Sequence, residues 1–216
     1  MSDLMLNVCE IFKSLQGEST YAGELCSFVR LSGCNLHCTY CDAAYARQPG
    51  VSMSIEACLA AVEALECGLV EITGGEPLLQ PETPDLCGRL IDAGHTVLVE
   101  TNGSLDIGKI PPACVRVVDV KCPGSGMESS FYMDNIELLA SRDQVKFVIS
   151  DSRDFDWSLD FVKLKNLLKR CTVIFSPNTN VLKPKELAEW IIQANVPVRF
   201  GLQIHKIIWG NDARGK

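Results

Sequence analysis

The chain has 216 residues, 47% of them hydrophobic and 22% charged, which is an ordinary globular composition with enough apolar residues for one sizeable core. Its formal net charge is -7, and no basic stripe is present, which argues against a nucleic-acid partner. No apolar run is long enough to span a bilayer, and the start lacks the features of a signal peptide. We therefore expect one domain over residues 1–216, no membrane partner and a cytoplasmic location.

Apolar strands and amphipathic helices alternate along the sequence. Strands are predicted over residues 6–12, 25–31, 68–72, 96–100, 115–120, 144–149, 172–175 and 198–204. Helices are predicted over residues 55–66, with Ser54 as the cap, 84–93, with Thr83 as the cap and Gly94 as the stop, 135–140, 159–170 and 184–194. This βα alternation predicts an α/β fold in which helices cover a mostly parallel sheet.

Three cysteines, Cys34, Cys38 and Cys41, follow the second predicted strand. Three thiolates on so short a loop can converge on one soft metal centre. A closed zinc site or an ordinary 4Fe-4S cluster takes four protein ligands, and no fourth cysteine follows nearby, so a cluster here would keep one open iron. Spacing alone leaves open a zinc site that is completed by His37 or a distant ligand. The other eight cysteines are interpreted as small core residues or as residues without a role in the site, because most lie in apolar patterns.

Polar residues follow three of the predicted strands, at 101–103, 119–121 and 176–179. In parallel βα folds the carboxyl ends of the strands form the edge at which ligands bind. The polar turn at 14–18 is either a plain hairpin loop or a binding segment for a polar heterocycle.

The CxxxCxxC pattern after an apolar strand, followed by Gly74-Gly75-Glu76-Pro77, resembles the signature of radical S-adenosylmethionine enzymes. The resemblance implies a partial (β/α) TIM-like barrel with mostly parallel strands. It also implies a 4Fe-4S cluster on Cys34, Cys38 and Cys41, whose open iron is chelated by S-adenosylmethionine. One electron from a flavodoxin- or ferredoxin-type reductant then yields a 5'-deoxyadenosyl radical, so the cofactors carry the difficult chemistry.

A closer resemblance, to the 7-carboxy-7-deazaguanine synthase family, rests on residues 14–18, Arg30, Thr73 and residues 203–209. It implies a carbon-nitrogen lyase that contracts the ring of 6-carboxy-5,6,7,8-tetrahydropterin with loss of ammonia, in queuosine and 7-deazapurine biosynthesis. A homodimer is the implied assembly. The rival functions are an activating enzyme for a glycyl-radical protein and, in another class, an iron-sulfur electron carrier or a zinc-binding module.

Carried over by position, the resemblance assigns site residues in two groups. The pterin ligands are Leu15, Gln16, Gly17, Arg30 and Thr73, with Arg30 suited to a carboxylate through its planar fork. The S-adenosylmethionine ligands are Tyr40, Asp42, Gly75, Glu76, Asp119, Val120, Lys121, Ser176, Pro177, Asn178 and Thr179. His205 and Lys206 either line the site or hold the last predicted strand.

Position 43 departs from the family pattern. Relatives commonly carry threonine or serine there, and its hydroxyl helps to bind a magnesium ion that also touches the substrate. Ala43 offers no side-chain oxygen to such a hard cation. Either the protein works without magnesium, or Asp42, water and substrate hold the ion weakly.

Overall fold

The computed structural model describes residues 4–210 and 213–215. The strands are β1 Met5–Leu15, β2 Leu25–Leu31, β3 Val51–Ser54, β4 Leu69–Gly74, β5 Thr96–Thr101, β6 Val115–Asp119, β7 Gln144–Ile149, β8 Thr172–Pro177 and β9 Arg199–Phe200. The helices are α1 Ile55–Glu63, α2 Thr83–Asp92, α3 Asn135–Leu138, α4 Ser152–Leu164, α5 Pro184–Ala194 and α6 Ile204–Trp209. Short 3-10 turns connect several of them. No helix within the described ranges has the length and apolarity that a membrane crossing requires.

The strands of the described chain form one sheet in the order β3-β1-β2-β4-β5-β6-β7-β8-β9. The pairs β2-β4, β4-β5, β5-β6, β6-β7, β7-β8 and β8-β9 are parallel, whereas β1 is antiparallel to both β2 and β3. The edge strands β3 and β9 do not pair with each other in the described residues, so the barrel is partial. The predicted α/β class with a mostly parallel sheet is confirmed.

Both faces of the central strands are buried, and the inner face changes from apolar to polar along β2, β4, β5 and β6. Successive strand residues point to opposite faces, so Leu69, Glu71 and Thr73 share one face of β4, while Val70 and Ile72 pack in the main core under the helices. The inner apolar end of the sheet forms a second small core of Cys26, Phe28, Leu69, Leu98, Val115 and Val117. Charged residues follow this core toward the carboxyl ends of the strands, which is where the site lies.

Local interactions explain where the predicted elements were right and where they were wrong. Ser54 caps α1 by accepting a hydrogen bond from the Ala57 N–H at 3.1 Å, as predicted. Thr83 is not a cap, because its hydroxyl donates to the Pro77 carbonyl at 2.7 Å. The predicted helix at 159–170 instead begins at Ser152, since the Asp151 side chain accepts from the Asp154 N–H at 2.8 Å and starts the helix early.

The end of the sheet also differs from the prediction. The strand predicted over 198–204 is wrong: only Arg199–Phe200 pairs with β8, and Ile204–Trp209 is the helix α6. The strand β3 was not predicted, because its apolar-polar alternation covers only four residues, all of them exposed or half-buried. It forms by pairing with β1, which is a long-range contact.

Candidate active site

One cavity opens at the carboxyl edge of the parallel strands and collects most of the predicted site residues. Its lining includes Leu15, Gln16, Gly17, Arg30, Cys34, Cys38, Tyr40, Cys41, Asp42, Ala43, Thr73, Gly75, Asp119, Lys121 and Asn178. Five predicted S-adenosylmethionine ligands are absent from that lining: Glu76, Val120, Ser176, Pro177 and Thr179. Of these five, only Thr179 is exposed to solvent.

The cysteine loop after β2 is held by backbone contacts with the neighbouring loops. The Glu76 N–H donates to the Gly33 carbonyl at 2.8 Å, and the Gly75 N–H donates to the Leu31 carbonyl at 3.0 Å. A Cβ atom at position 75 would lie 1.9 Å from the Gly33 carbonyl oxygen, so only glycine permits this approach. The Thr39 hydroxyl donates to the Gly124 carbonyl at 2.8 Å. The glycine pair therefore serves to seat the cysteine loop.

The cysteine side chains fit the donor set of an iron-sulfur cluster. All three line the same cavity, and soft thiolates are the ligands such clusters take. Burial raises the pKa of the Cys38 thiol, whereas the nearby Lys121 ammonium lowers it and favours the thiolate. Within the described residues no three His, Cys, Asp or Glu side chains form a ready-made site for one metal ion. His37 is exposed and does not line the cavity, which gives the zinc alternative no support.

Glu76 was expected to contact S-adenosylmethionine, but its side chain makes its hydrogen bonds within the protein. Its carboxylate is fully buried and accepts hydrogen bonds from the Leu78 N–H at 3.0 Å, the Thr101 hydroxyl at 2.8 Å and the Asn102 N–H at 2.7 Å. These bonds tie the end of β4 to the end of β5. Glu76 therefore positions the loops that border the cysteines. Its side chain does not line the cavity.

Residues expected near S-adenosylmethionine lie across the cavity from β2. The Tyr40 hydroxyl donates to the Val148 carbonyl at 3.4 Å, and the Asn178 side-chain amide donates to the Ser150 hydroxyl at 3.1 Å. The Lys121 ammonium donates to Asp119 at 2.8 Å. Val120, Ser176 and Pro177 are buried, so they can reach a ligand only through neighbouring backbone.

Arg30 is built into the cavity wall. Its Nε donates to the Glu10 carboxylate at 2.8 Å, and the Tyr45 hydroxyl donates to the same oxygen at 2.7 Å. Its side chain is only 17% exposed, which contradicts a surface ion pair. Because Glu10 occupies Nε, the two terminal nitrogens of the guanidinium remain for a planar anion.

The Gln16 side chain is used within the protein. It is 2% exposed; its amide nitrogen donates to Glu71, and its oxygen accepts from the Glu18 N–H at 3.0 Å. Burial and repulsion by Glu100 raise the pKa of Glu71 well above its usual range, which favours its protonated form. Gln16 thus helps to order the floor of the cavity, which we define as Glu18, Glu71, Glu100, Asp119 and Lys146. A ligand would contact mainly the residues next to Gln16.

The ammonium group of Lys146 pairs with acidic residues of this floor. The Lys146 Nζ lies 2.6 Å from Glu18 and 2.5 Å from Glu100, and Asp119 is at 3.5 Å. Burial opposes ionisation of Glu18, but attraction to Lys146 outweighs it and lowers the pKa of Glu18 to about 2. The charge of Lys146 is stabilised in turn, because Glu100, Glu18 and Asp119 raise its pKa despite burial.

The helix α6 brings His205 and Lys206 to the cavity, which answers the question that the sequence left open. A Cβ atom at Gly17 would lie 2.0 Å from the His205 Nδ1, so the glycine allows the helix to pack there. The Lys206 ammonium lies 2.6 Å from the Asp42 carboxylate. Burial and the nearby Lys206 charge lower the pKa of His205, so its imidazole is neutral at pH 7.

Sequence reasoning missed several lining residues, above all Glu71, Glu100 and Lys146. A usable signal existed, because each is a charged residue inside an otherwise apolar strand, on the same face as the residue two positions away. These three residues form no sequence motif, since they lie on three different strands.

Comparison with known proteins identifies the family of the chain. The Radical SAM superfamily profile matches residues 28–117. A 7-carboxy-7-deazaguanine synthase from Chlorobaculum tepidum is 41% identical over 213 residues, covering 97% of each chain, and one from Koribacter versatilis is 41% identical over 225 residues, covering 97% of this chain and all of the relative. The crystal structure of QueE from Escherichia coli superposes with a TM-score of 0.76 at 21% identity over 92% of this chain and 93% of that one. The chain belongs to the 7-carboxy-7-deazaguanine synthase family of radical S-adenosylmethionine enzymes.

Proposed function

We propose that the cavity binds 6-carboxy-5,6,7,8-tetrahydropterin between Arg30 and the acidic floor and converts it to 7-carboxy-7-deazaguanine with loss of ammonia. The observation that carries this proposal is the shared cavity: three cysteine thiols, a buried guanidinium and a cluster of carboxylates all line it. The Arg30 terminal nitrogens suit the substrate carboxylate. The ring N–H groups and the amino group of a tetrahydropterin are donors, which suit the carboxylates of Glu18 and Glu100.

Two cofactors of the superfamily, a 4Fe-4S cluster and S-adenosylmethionine, belong to this activity. Cys34, Cys38 and Cys41 would hold the cluster. When bound, these cofactors would supply the radical chemistry of the reaction. The chain's own residues bind and orient the pterin, and the buried walls exclude water from the reacting atoms. The Tyr40, Asp119, Lys121 and Asn178 side chains and the Gly75 backbone are the proposed S-adenosylmethionine contacts.

We further propose a flavodoxin- or ferredoxin-type reductant, a homodimer and a cytoplasmic location, all from the family resemblance. We propose that a magnesium ion, if it takes part, is bound only weakly by the protein. Ala43 lines the cavity without an oxygen donor, and the Asp42 carboxylate is engaged by Lys206. Substrate and water would supply most of any magnesium coordination.

The decisive assay combines anaerobically reconstituted protein, dithionite, S-adenosylmethionine and the carboxypterin, with mass spectrometry of the products. We expect 7-carboxy-7-deazaguanine and ammonia, with little net consumption of S-adenosylmethionine, because the family regenerates it. An electron carrier would not cleave S-adenosylmethionine at all. An activating enzyme would cleave it, leave the pterin unchanged and require a glycyl-radical protein.

A further inference from the structure

We infer that Lys146 is a positioning residue for the substrate: its ammonium neutralises the carboxylates of Glu18 and Glu100 and aims them at the donor edge of the pterin. This inference rests on the proposed function. Lys146 lies on β7, Glu100 on β5 and Glu18 in the loop after β1, so one side chain joins three separate elements.

Because Lys146 is buried, its charge must be paired with nearby carboxylates. Its side chain is 4% exposed, and an ammonium removed from water is strongly destabilising unless it is paired. Its three N–H donors face three carboxylates, those of Glu18, Glu100 and Asp119. Each neighbouring ion pair fixes both the charge and the direction of the acid.

The acids keep capacity for a ligand after these pairings. One Glu18 oxygen meets Lys146, while the other accepts from the Gln203 amide at 2.7 Å. One Glu100 oxygen meets Lys146, while the other accepts from the Thr73 hydroxyl at 3.2 Å. A carboxylate offers about four lone-pair sites, so both acids can still accept from an amino group or a ring N–H.

Charge balance points to a donor ligand on this floor. Among the described residues, Glu18, Glu100 and Asp119 surround Lys146, and Lys121 adds a second cation at 2.8 Å from Asp119, while Lys206 is paired with Asp42 at 2.6 Å. Three carboxylates against two ammonium groups leave the floor negative. Arg30 lines the same cavity and supplies a cation for the substrate carboxylate. The two ends of the cavity therefore match the two ends of a carboxypterin.

The test measures the affinity of the reconstituted protein for 6-carboxypterin at pH values from 6 to 9, with the fluorescence of the pterin as the readout. We expect Lys146→Met to weaken binding by about tenfold or more at pH 7.5, because Glu18 and Glu100 lose their common partner. We also expect its binding to weaken further as the pH falls. Without Lys146, burial raises the pKa of Glu18, and a protonated Glu18 loses acceptor capacity.

The wild-type profile should be flat with respect to Glu18, whose pKa of about 2 lies far below this range. The other charged groups that face Lys146 or the same floor are Glu71, Glu100, Asp119, Lys121, Asp42, His205 and Lys206. Burial raises the pKa of Glu71 and lowers the pKa of His205, so both environments favour the neutral side chain.

A matched control is Arg116→Met, which removes another buried cation of the sheet, one that pairs with Asp143 at 3.4 Å and does not line the cavity. It should lower the melting temperature without changing pterin affinity or its pH profile. If Lys146→Met alone folds poorly, the variant Lys146→Met/Glu18→Gln removes both charges. Its affinity should fall by no more than the larger single loss, because the two residues act as one unit.

Two results would overturn the inference: a Lys146→Met protein with wild-type affinity and a flat profile, or fully additive losses in the double variant. Failure of the proposed function would look different. In that case the wild type itself would neither bind 6-carboxypterin nor convert the tetrahydro form, whatever Lys146 does.

Discussion

Arg30 and Glu71 lie on adjacent strands of the cavity wall, yet their environments favour the charged form of Arg30 and the neutral form of Glu71. Burial works against the Arg30 charge, but Tyr45 and Glu10 stabilise it and raise its pKa. Burial and Glu100 raise the pKa of Glu71 and favour its neutral form. At the residue scale, therefore, the partner of each buried group decides its chemistry more than its residue type.

Arg30→Lys should weaken 6-carboxypterin binding by about 1.5–3 kcal/mol, or roughly ten- to a hundredfold. Lysine keeps the charge but lacks the planar fork that remains free beside Glu10. Equilibrium binding measures the effect, and uncoupled cleavage of S-adenosylmethionine should persist. Arg199→Lys, an exposed change on β9, is the control and should bind normally. Equal affinities for wild type and Arg30→Lys would remove Arg30 from the substrate site.

Alanine in place of any one of Cys34, Cys38 or Cys41 should abolish the cluster absorbance and the cleavage of S-adenosylmethionine. The open-iron geometry needs all three thiolates. Cys122→Ala is a matched control, because Cys122 is fully buried, contacts Ser158 and does not line the cavity. Complete loss of the cluster in the Cys122 variant would refute the three-ligand assignment.

Activity should depend on magnesium less than in relatives with threonine at position 43, and Ala43→Thr should increase the dependence. The added hydroxyl restores an oxygen donor, which the ion prefers. Turnover is measured across a magnesium titration after chelation with EDTA. A wild type that is inactive without magnesium and fully restored by it would mean that substrate, water and Asp42 suffice to hold the ion.

At the scale of elements, the short helix α6 completes the cavity because it packs against the loop after β1. The Ile204 N–H donates to the Gly17 carbonyl at 2.9 Å, and Gln203 donates to Glu18. His205 lies directly over Gly17, which therefore needs to lack a side chain. The two ends of the sequence thus meet at one wall of the site.

Gly17→Ala should displace α6 and lower pterin affinity at least about tenfold, since a Cβ atom there would overlap the His205 ring. Destabilisation should stay within about 1–3 kcal/mol, because the strands themselves are untouched. Ligand binding and thermal unfolding are measured side by side. Gly68→Ala is the matched control, since nothing lies within 4 Å of a Cβ atom at that position. Unchanged binding in Gly17→Ala would show that α6 does not need this contact.

At the scale of the whole molecule, one sheet carries both the main core and the site. The helices cover its outer face, and its inner face changes from the small apolar core to the charged floor. Cavity residues come from β1, β2, β4, β5, β6 and β7. Opening any part of the sheet would therefore disturb the core and the site together.

We accordingly predict that the chain unfolds as one domain, in a single cooperative transition. Circular dichroism should report the same midpoint as the fluorescence of Trp157 and Trp190, which both pack against the main core. Two separated transitions would contradict the single-domain assignment. Scans should be repeated at different rates, because irreversible unfolding would distort the midpoint.

The sequence by itself determined the βα alternation, the strand β2 that delivers the cysteine loop, and the family, because apolar period and motif spacing are local properties. It also placed Arg30, Thr73 and the cysteines at what became one cavity. Only the tertiary structure decided that Gln16 bonds inward, that Glu76 ties two loops together, and that 204–209 is a helix over the cavity. The same holds for Lys146, whose partners lie 46 and 128 residues away in the chain. Such contacts depend on how distant strands pair, and no local pattern in the sequence records that pairing.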